Sequence, residues 1–229
     1  SKKFTGATNA VTLAIFDLDN TLLNGDSDHA WGQFLVDQGI VNADAYQKAN
    51  DYFYAQYQQG GLNIDEYLDF ALEPLTQHSN EQLDQWHLQF MRDYIAPMRQ
   101  AQAEALLAEH RAKGHFLLII TATNLFVTGP IAESLGVDHI LATVPEQSNG
   151  RYTGKVAGTP CFQEGKVTRL NAWLEETGHS LAGSYFYSDS HNDLPLLKLV
   201  DHPVAVDADE QLTAYAKQQQ WPILSFREA

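Results

Sequence analysis

The 229-residue chain contains a single cysteine, Cys161, which excludes an internal disulfide and a cysteine metal cluster and suits a reducing compartment. That thiol carries no local nucleophile signature and reads as a loop or buried residue. No apolar run is long enough to span a bilayer, and the first ten residues lack the apolar stretch of a secretion signal, so a cytoplasmic location is expected. Basic residues are scarce: 14 Lys and Arg stand against 29 Asp and Glu, a formal charge of −15 with no basic patch to offset it. Such a field repels nucleic acid and anionic membranes, and neither is expected as a partner. Repeats and low-complexity tracts are absent. The scarcity is sharpest between Asp26 and Met91, where there is no arginine and one lysine, Lys48.

What is present is enough chain for one substantial core plus an insertion. Leu13-Ala14-Ile15-Phe16 is a short apolar run of the kind buried on both faces of a sheet, and it ends abruptly in Asp17-Leu18-Asp19. Side chains alternate along an extended segment, so Asp17 and Asp19 fall on one side, where they can share a metal, a proton or a reacting group. Alone, the pair also reads as an acidic turn.

From 28 to 97 the pattern is helical. Helices are expected at 28–37, 43–59, 63–75 and from Ser79 to before Pro97, with Gly39 and Gly60-Gly61 as stops and Ser79 with Gln82 as a capping box. Trp31, Phe34, Leu35, Tyr46, Phe53, Tyr57, Trp86, Phe90 and Tyr94 recur at helical spacing, mostly as packing within a small bundle. A helix at 102–113 leads back to βα alternation. Strands are expected at 115–121, 140–144, 184–188, 203–206 and 223–224, helices at 127–135, 165–176, 194–200 and 210–219, and a hairpin at Asn149-Gly150 leading into 151–156. The fold class is therefore α/β: a Rossmann-like, doubly wound parallel sheet (1–25 and 98–229) with an inserted all-helical unit (26–97), and ligands at the carboxyl ends of the strands.

That scheme brings Asp17, Thr121 and Asp189 to one sheet edge, with Asp193 four residues after Asp189. Carboxylates gathered there repel one another unless a cation lies between them. An all-oxygen set with few protein ligands suits Mg²⁺. Lys166, at a helix start, brings the positive charge a phosphoryl group needs.

These residues, in order Asp17-Leu18-Asp19-Asn20-Thr21, Thr121, Lys166 and Ser188-Asp189 through Asn192-Asp193, resemble the four motifs of the haloacid dehalogenase superfamily of phosphatases. The resemblance implies Asp17 as the nucleophile that becomes an aspartyl phosphate and Asp19 as the general acid and base. It implies Thr121, Ala122, Lys166 and Asn192 at the phosphate. The metal set is Asp17, Asp19 through its carbonyl, Asp189 and Asp193, with Asp193 either supporting the metal or orienting Lys166. The helical insertion resembles the cap of the phosphoserine phosphatase-like branch, although a bundle can also be an oligomerisation surface; the protein is expected as a monomer or homodimer.

Within that branch phosphoserine is held by an acid after the first motif and by a cap arginine. Asp26 matches the acid, and the arginine is missing. The many acids of the interval favour a cationic leaving group without a carboxylate. Gly25-Asp26-Ser27-Asp28-His29-Ala30-Trp31, Thr121-Ala122-Thr123-Asn124 and Tyr187-Ser188-Asp189-Ser190 are similar to bacterial histidinol-phosphatases of the superfamily. The resemblance implies a Mg²⁺-dependent phosphomonoesterase acting on L-histidinol phosphate, with Asp26, Asp28, His29, Trp31 and Asn124 toward the substrate and Phe53 or Tyr54 as further stacking candidates. Phosphoserine hydrolysis, transfer to another acceptor, and a binding protein on the same fold are the alternatives.

Overall fold

A computed structural model describes residues 11–228. The expectation made for the first ten residues lies outside them. The chain opens with β1 (Leu13–Phe16), and the first four α-helices follow it: α1 (Ser27–Asp37), α2 (Ala43–Gln58), α3 (Ile64–Leu72) and α4 (Asn80–Phe90). Each starts where a polar side chain takes up free amides. Asp26 accepts from Asp28 and His29, Asn42 from Ala45, Asn63 from Glu66 and Ser79 from Gln82. The helix expected at 63–75 ends early, because Pro74 tightens Glu73–Gln77 into a 3₁₀ turn.

The remainder alternates as expected. It comprises α5 (Ala101–Ala112), β2 (Phe116–Asn124), α6 (Leu125–Leu135), β3 (His139–Ser148), β4 (Arg151–Ala157), α7 (Glu164–Thr177), β5 (Tyr185–Ser188), α8 (Leu194–Leu197), β6 (His202–Val206), α9 (Glu210–Gln219) and β7 (Ile223–Leu224). Asn149 and Gly150 both take positive φ, 53° and 77°, as a tight hairpin requires. β2 outruns its apolar stretch by three residues, and its pairing with β3 slips between Ile120 and Asn124. Thr121 therefore lies within the strand, not at its end.

The seven strands are ordered β4-β3-β2-β1-β5-β6-β7, all neighbours parallel except β3 with β4. The chain winds outward from β1 through β2 and β3, then returns to its other side at β5. The switch point, where a doubly wound sheet opens a crevice, thus lies at the carboxyl end of β1.

β1 is buried throughout and splits its side chains between two cores. Ala14 and Phe16 join Leu117 and Ile119 under α5 and α6; Leu13 and Ile15 join Leu118 and Ile120 under α7, α8 and α9. The first core continues into the helical insertion through Trp31, Phe34, Leu72, Leu83 and Phe90. Each such side chain contributes about 1.5–3 kcal/mol by burial. Among the described residues no helix is long and apolar enough to cross a membrane.

Candidate active site

Asp17 is the first residue beyond β1, and its amide still donates to Tyr187 O of β5 at 3.0 Å. The next residues make a wide turn closed by Leu23 N on Leu18 O at 3.0 Å, with Asn20 at φ 59°. That turn carries Asp19 back beside the start of α1. There one oxygen of Asp19 accepts from the amide (2.7 Å) and hydroxyl (2.6 Å) of Ser27, and the other from Thr123 Oγ1 at 2.7 Å.

Asp17 Oδ1 accepts from Leu18 N at 2.9 Å and faces Lys166 Nζ at 3.3 Å. The same ammonium lies 2.8 Å from Asp193 Oδ1, while Asp193 Oδ2 accepts from Ser188 Oγ at 2.6 Å. Asp189 accepts from Thr21 Oγ1 at 2.9 Å. Two strands and one helix thus converge on a single carboxylate.

Burial pushes Asp17 up to about 7, against the pull of Lys166. Burial also raises Asp19, less so because Ser27 and Thr123 stabilise its anion. Asp189 is pushed well above the carboxylate range by burial and then by Asp17. Burial alone would lower Lys166, but Asp17 and Asp193 more than reverse it, so the ammonium stays charged.

A cavity opens on this cluster. Asp17, Asp19, Thr121, Ala122 and Thr123 line it from the ends of β1 and β2, and Asp26, Asp28, His29, Asn50, Phe53, Tyr54, Tyr57, Leu62, Ile64 and Tyr67 line it from the helical insertion. Tyr67 OH donates to Asp28 Oδ2. Burial lifts Asp28 to about 7 and Asp26 well above the ordinary range, the latter raised further by Asp19 and Asp28. His29 Nε2 meets Asp51 Oδ1 at 2.9 Å, and its ring lies 4.6 Å from that of Tyr54.

Among the described residues, no lysine or arginine lines the cavity.

Three expected site residues are used otherwise. Trp31 is buried, stacked on Phe34 at 5.2 Å and edge-on to Phe90 and Phe126, because its helical spacing aims it into the core. Asn124 caps α6 by accepting from Val127 N at 3.2 Å. Asn192 is spent on protein partners: Gln163 Nε2 donates to its Oδ1 at 2.9 Å, and its Nδ2 donates to Tyr57 O at 3.4 Å.

Asp17 Oδ2 is buried without a hydrogen-bond partner among the described residues, which is costly for a carboxylate unless a cation or ligand meets it. Asp189 is the neighbouring carboxylate. Asp193 is committed to Lys166 and Ser188, and the Asp19 carboxylate to Ser27 and Thr123, so neither side chain is a metal ligand here and only the Asp19 carbonyl can join the set. Among the described residues no group of three acidic, histidine or cysteine side chains has metal-holding geometry. Two carboxylates and a carbonyl fit a hard cation that keeps most of its waters.

Sequence reasoning gives Ser27, Thr123 and Tyr67 no place in the site and reads Tyr57 as packing. Their signal was weak, since each matters through a partner brought close only by the fold.

The sequence pattern of the haloacid dehalogenase-like hydrolases matches residues 14–198. The chain belongs to this family. It is 48% identical over 219 residues to a histidinol-phosphatase of Neisseria meningitidis serogroup C, covering 94% of this chain and 99% of that protein. It is 30% identical to phosphoserine phosphatase SerB1 of Mycobacterium tuberculosis, over 93% of this chain and 70% of that one. Among solved structures, a protein of unknown function from Bordetella pertussis superposes with a TM-score of 0.89 at 42% identity, covering 95% and 99% of the two chains. A substrate-bound phosphoserine phosphatase superposes at 0.68 with 19% identity over 96% and 94%, a likeness of fold. The chain is thus an enzyme, a phosphatase of the haloacid dehalogenase type.

Proposed function

We propose that the enzyme hydrolyses L-histidinol phosphate in a Mg²⁺-dependent reaction through an aspartyl phosphate on Asp17, a step of histidine biosynthesis. The observation that carries this reading is the cavity's lining: Asp26 and Asp28 share it with Asp17 and Asp19, and no described lining residue is a lysine or arginine. Histidinol phosphate offers an ammonium and an imidazole to those acids and has no carboxylate to need a cation. The 48% identical Neisseria histidinol-phosphatase supports the assignment. Phosphoserine is the second reading, favoured by the SerB1 relative and disfavoured by the missing cation.

In this mechanism Asp17 attacks phosphorus, the bond from phosphorus to the ester oxygen breaks, and protonated Asp19 delivers its proton to the departing alkoxide. Asp19, now a carboxylate, takes a proton from the water that attacks the aspartyl phosphate, releasing phosphate and regenerating Asp17. Ser27 and Thr123 hold Asp19 in place for both transfers. Lys166, anchored by Asp193, sits beside Asp17 where negative charge builds, and Thr121 and Ala122 border the phosphate end. Asp17, Asp189 and the Asp19 carbonyl would hold Mg²⁺, which when bound supplies positive charge to the phosphate oxygens.

Residues 26–97 act as the cap that excludes water and selects the leaving group. Comparing kcat/KM for histidinol phosphate, phosphoserine and sugar phosphates with Mg²⁺ tests the assignment. A preference for phosphoserine would overturn it.

A further inference from the structure

His191 lies in the loop after β5 and takes no part in the chemistry above, yet it is held unusually firmly. Its amide donates to Asp209 Oδ2 at 2.8 Å and its Nδ1 meets the same oxygen at 2.7 Å. Asp209 is itself fixed, because its other oxygen caps α9 through Leu212 N at 2.8 Å and its amide donates to Asp189 O at 2.9 Å.

The free edge of that ring faces the turn at Gly60 that follows α2. A β-carbon built on Gly60 would stand 2.4 Å from His191 Nε2, and Gly60 has φ 79°, so the turn closes on the imidazole at a distance only glycine permits. Gly60 N donates to Tyr57 O at 3.1 Å, the carbonyl that also receives Asn192 Nδ2. Tyr57 in turn lines the cavity and lies 6.3 Å, ring to ring, from Phe162.

We propose that His191 is a positioning residue: clamped by Asp209, its imidazole seats the Gly60 turn at the end of α2 and thereby fixes Tyr57 in the wall of the substrate cavity. The contact joins the helical insertion to the loop that carries Asp189, so the helical lining and the carboxylate cluster are set by one juxtaposition. This inference rests on the phosphatase reading of the cavity.

The test is a double-mutant cycle of Gly60→Ala and His191→Ala, read two ways. One is amide exchange over residues 56–61 without substrate; the other is kcat and KM for histidinol phosphate and p-nitrophenyl phosphate with Mg²⁺. His191→Ala is expected to speed exchange in that turn and to raise KM for histidinol phosphate on the order of tenfold, with a smaller change in kcat. Any side chain at Gly60 is strained by φ, so the comparison between backgrounds carries the argument: Gly60→Ala should cost clearly less once His191 is alanine. Multiplicative effects, or wild-type exchange rates in His191→Ala, would overturn the proposal. If Gly60→Ala does not fold, Asp209→Asn replaces it. Asparagine still caps α9, yet KM should rise as in His191→Ala, and an unchanged KM overturns the proposal. Exchange is read without substrate, so a wrong substrate assignment changes the kinetic arm and leaves the exchange arm intact.

Discussion

Ser27 gives both its amide and its hydroxyl to one oxygen of Asp19, at 2.7 and 2.6 Å. The first helix of the insertion therefore begins by holding the residue assigned to proton transfer. Ser27→Ala keeps the amide contact and loses the hydroxyl. The expected result is a kcat lower by about tenfold with KM little changed, a loss of orientation and not of binding. Equal kcat for mutant and wild type would remove Ser27 from the account.

Asp17→Asn deletes the proposed nucleophile at nearly constant volume. Phosphate release should fall on the order of 10³-fold or more. Intact-mass measurement after rapid acid quench should find a phosphorylated form in the wild type and none in the variant.

Asp26 and Asp28 are expected to select the leaving group. Asp26→Asn preserves the cap of α1, since asparagine caps as well as aspartate, and Asp28→Asn keeps an acceptor for Tyr67. Each should raise KM for histidinol phosphate by about tenfold while leaving p-nitrophenyl phosphate within about twofold. A parallel loss on both substrates would point to general damage.

Asp189→Asn should abolish the rise in melting temperature caused by Mg²⁺, because one of the two carboxylates assigned to the cation is gone. A calorimetric titration of the variant gives the same answer without turnover.

His110 predicts a pH effect on stability. It is buried, its Nε2 meets Tyr187 OH at 2.7 Å and its Nδ1 meets His115 Nδ1 at 2.8 Å. Burial, then His115 and Lys113, holds it at about 4, below the 6.5 of an unfolded histidine. The unfolded chain thus binds the proton first as pH falls. The contribution to stability is complete above about pH 6.5 and is lost progressively toward pH 4. Asp28, raised to about 7, has the opposite sign, so the measurement is a difference: His110→Gln should flatten the fall in melting temperature over that window relative to wild type.

Much of the architecture was legible because periodicity changes where structure does. The apolar run before Asp17, the Asn149-Gly150 turn and the polar starts of α1 to α4 each carry a local physical signal. The gathering of Asp17, Asp19, Lys166 and Asp189 into one cluster was legible too, because the βα pattern sends them to the carboxyl ends of the strands. Trp31 was misread because its place beside the first motif outweighed its helical spacing, which is that of a core residue. Asn124 stands directly before a helix, and its capping role is the ordinary one for that position. Thr123 reaches Asp19 across 104 positions, and Gln163 reaches Asn192 across 29, distances over which a single sequence carries no pattern.

β1 lies between β2 and β5 and divides its four side chains between two cores, while α1 to α4 add no strand to the sheet. Every position of β1 is buried in one core or the other, so a change there has nowhere to be absorbed. The helices that line the cavity can exchange Asp28, Tyr67 or Ile64 without disturbing a single ladder bond. New leaving groups can therefore be reached by altering that lining alone, with the phosphoryl chemistry carried along unchanged.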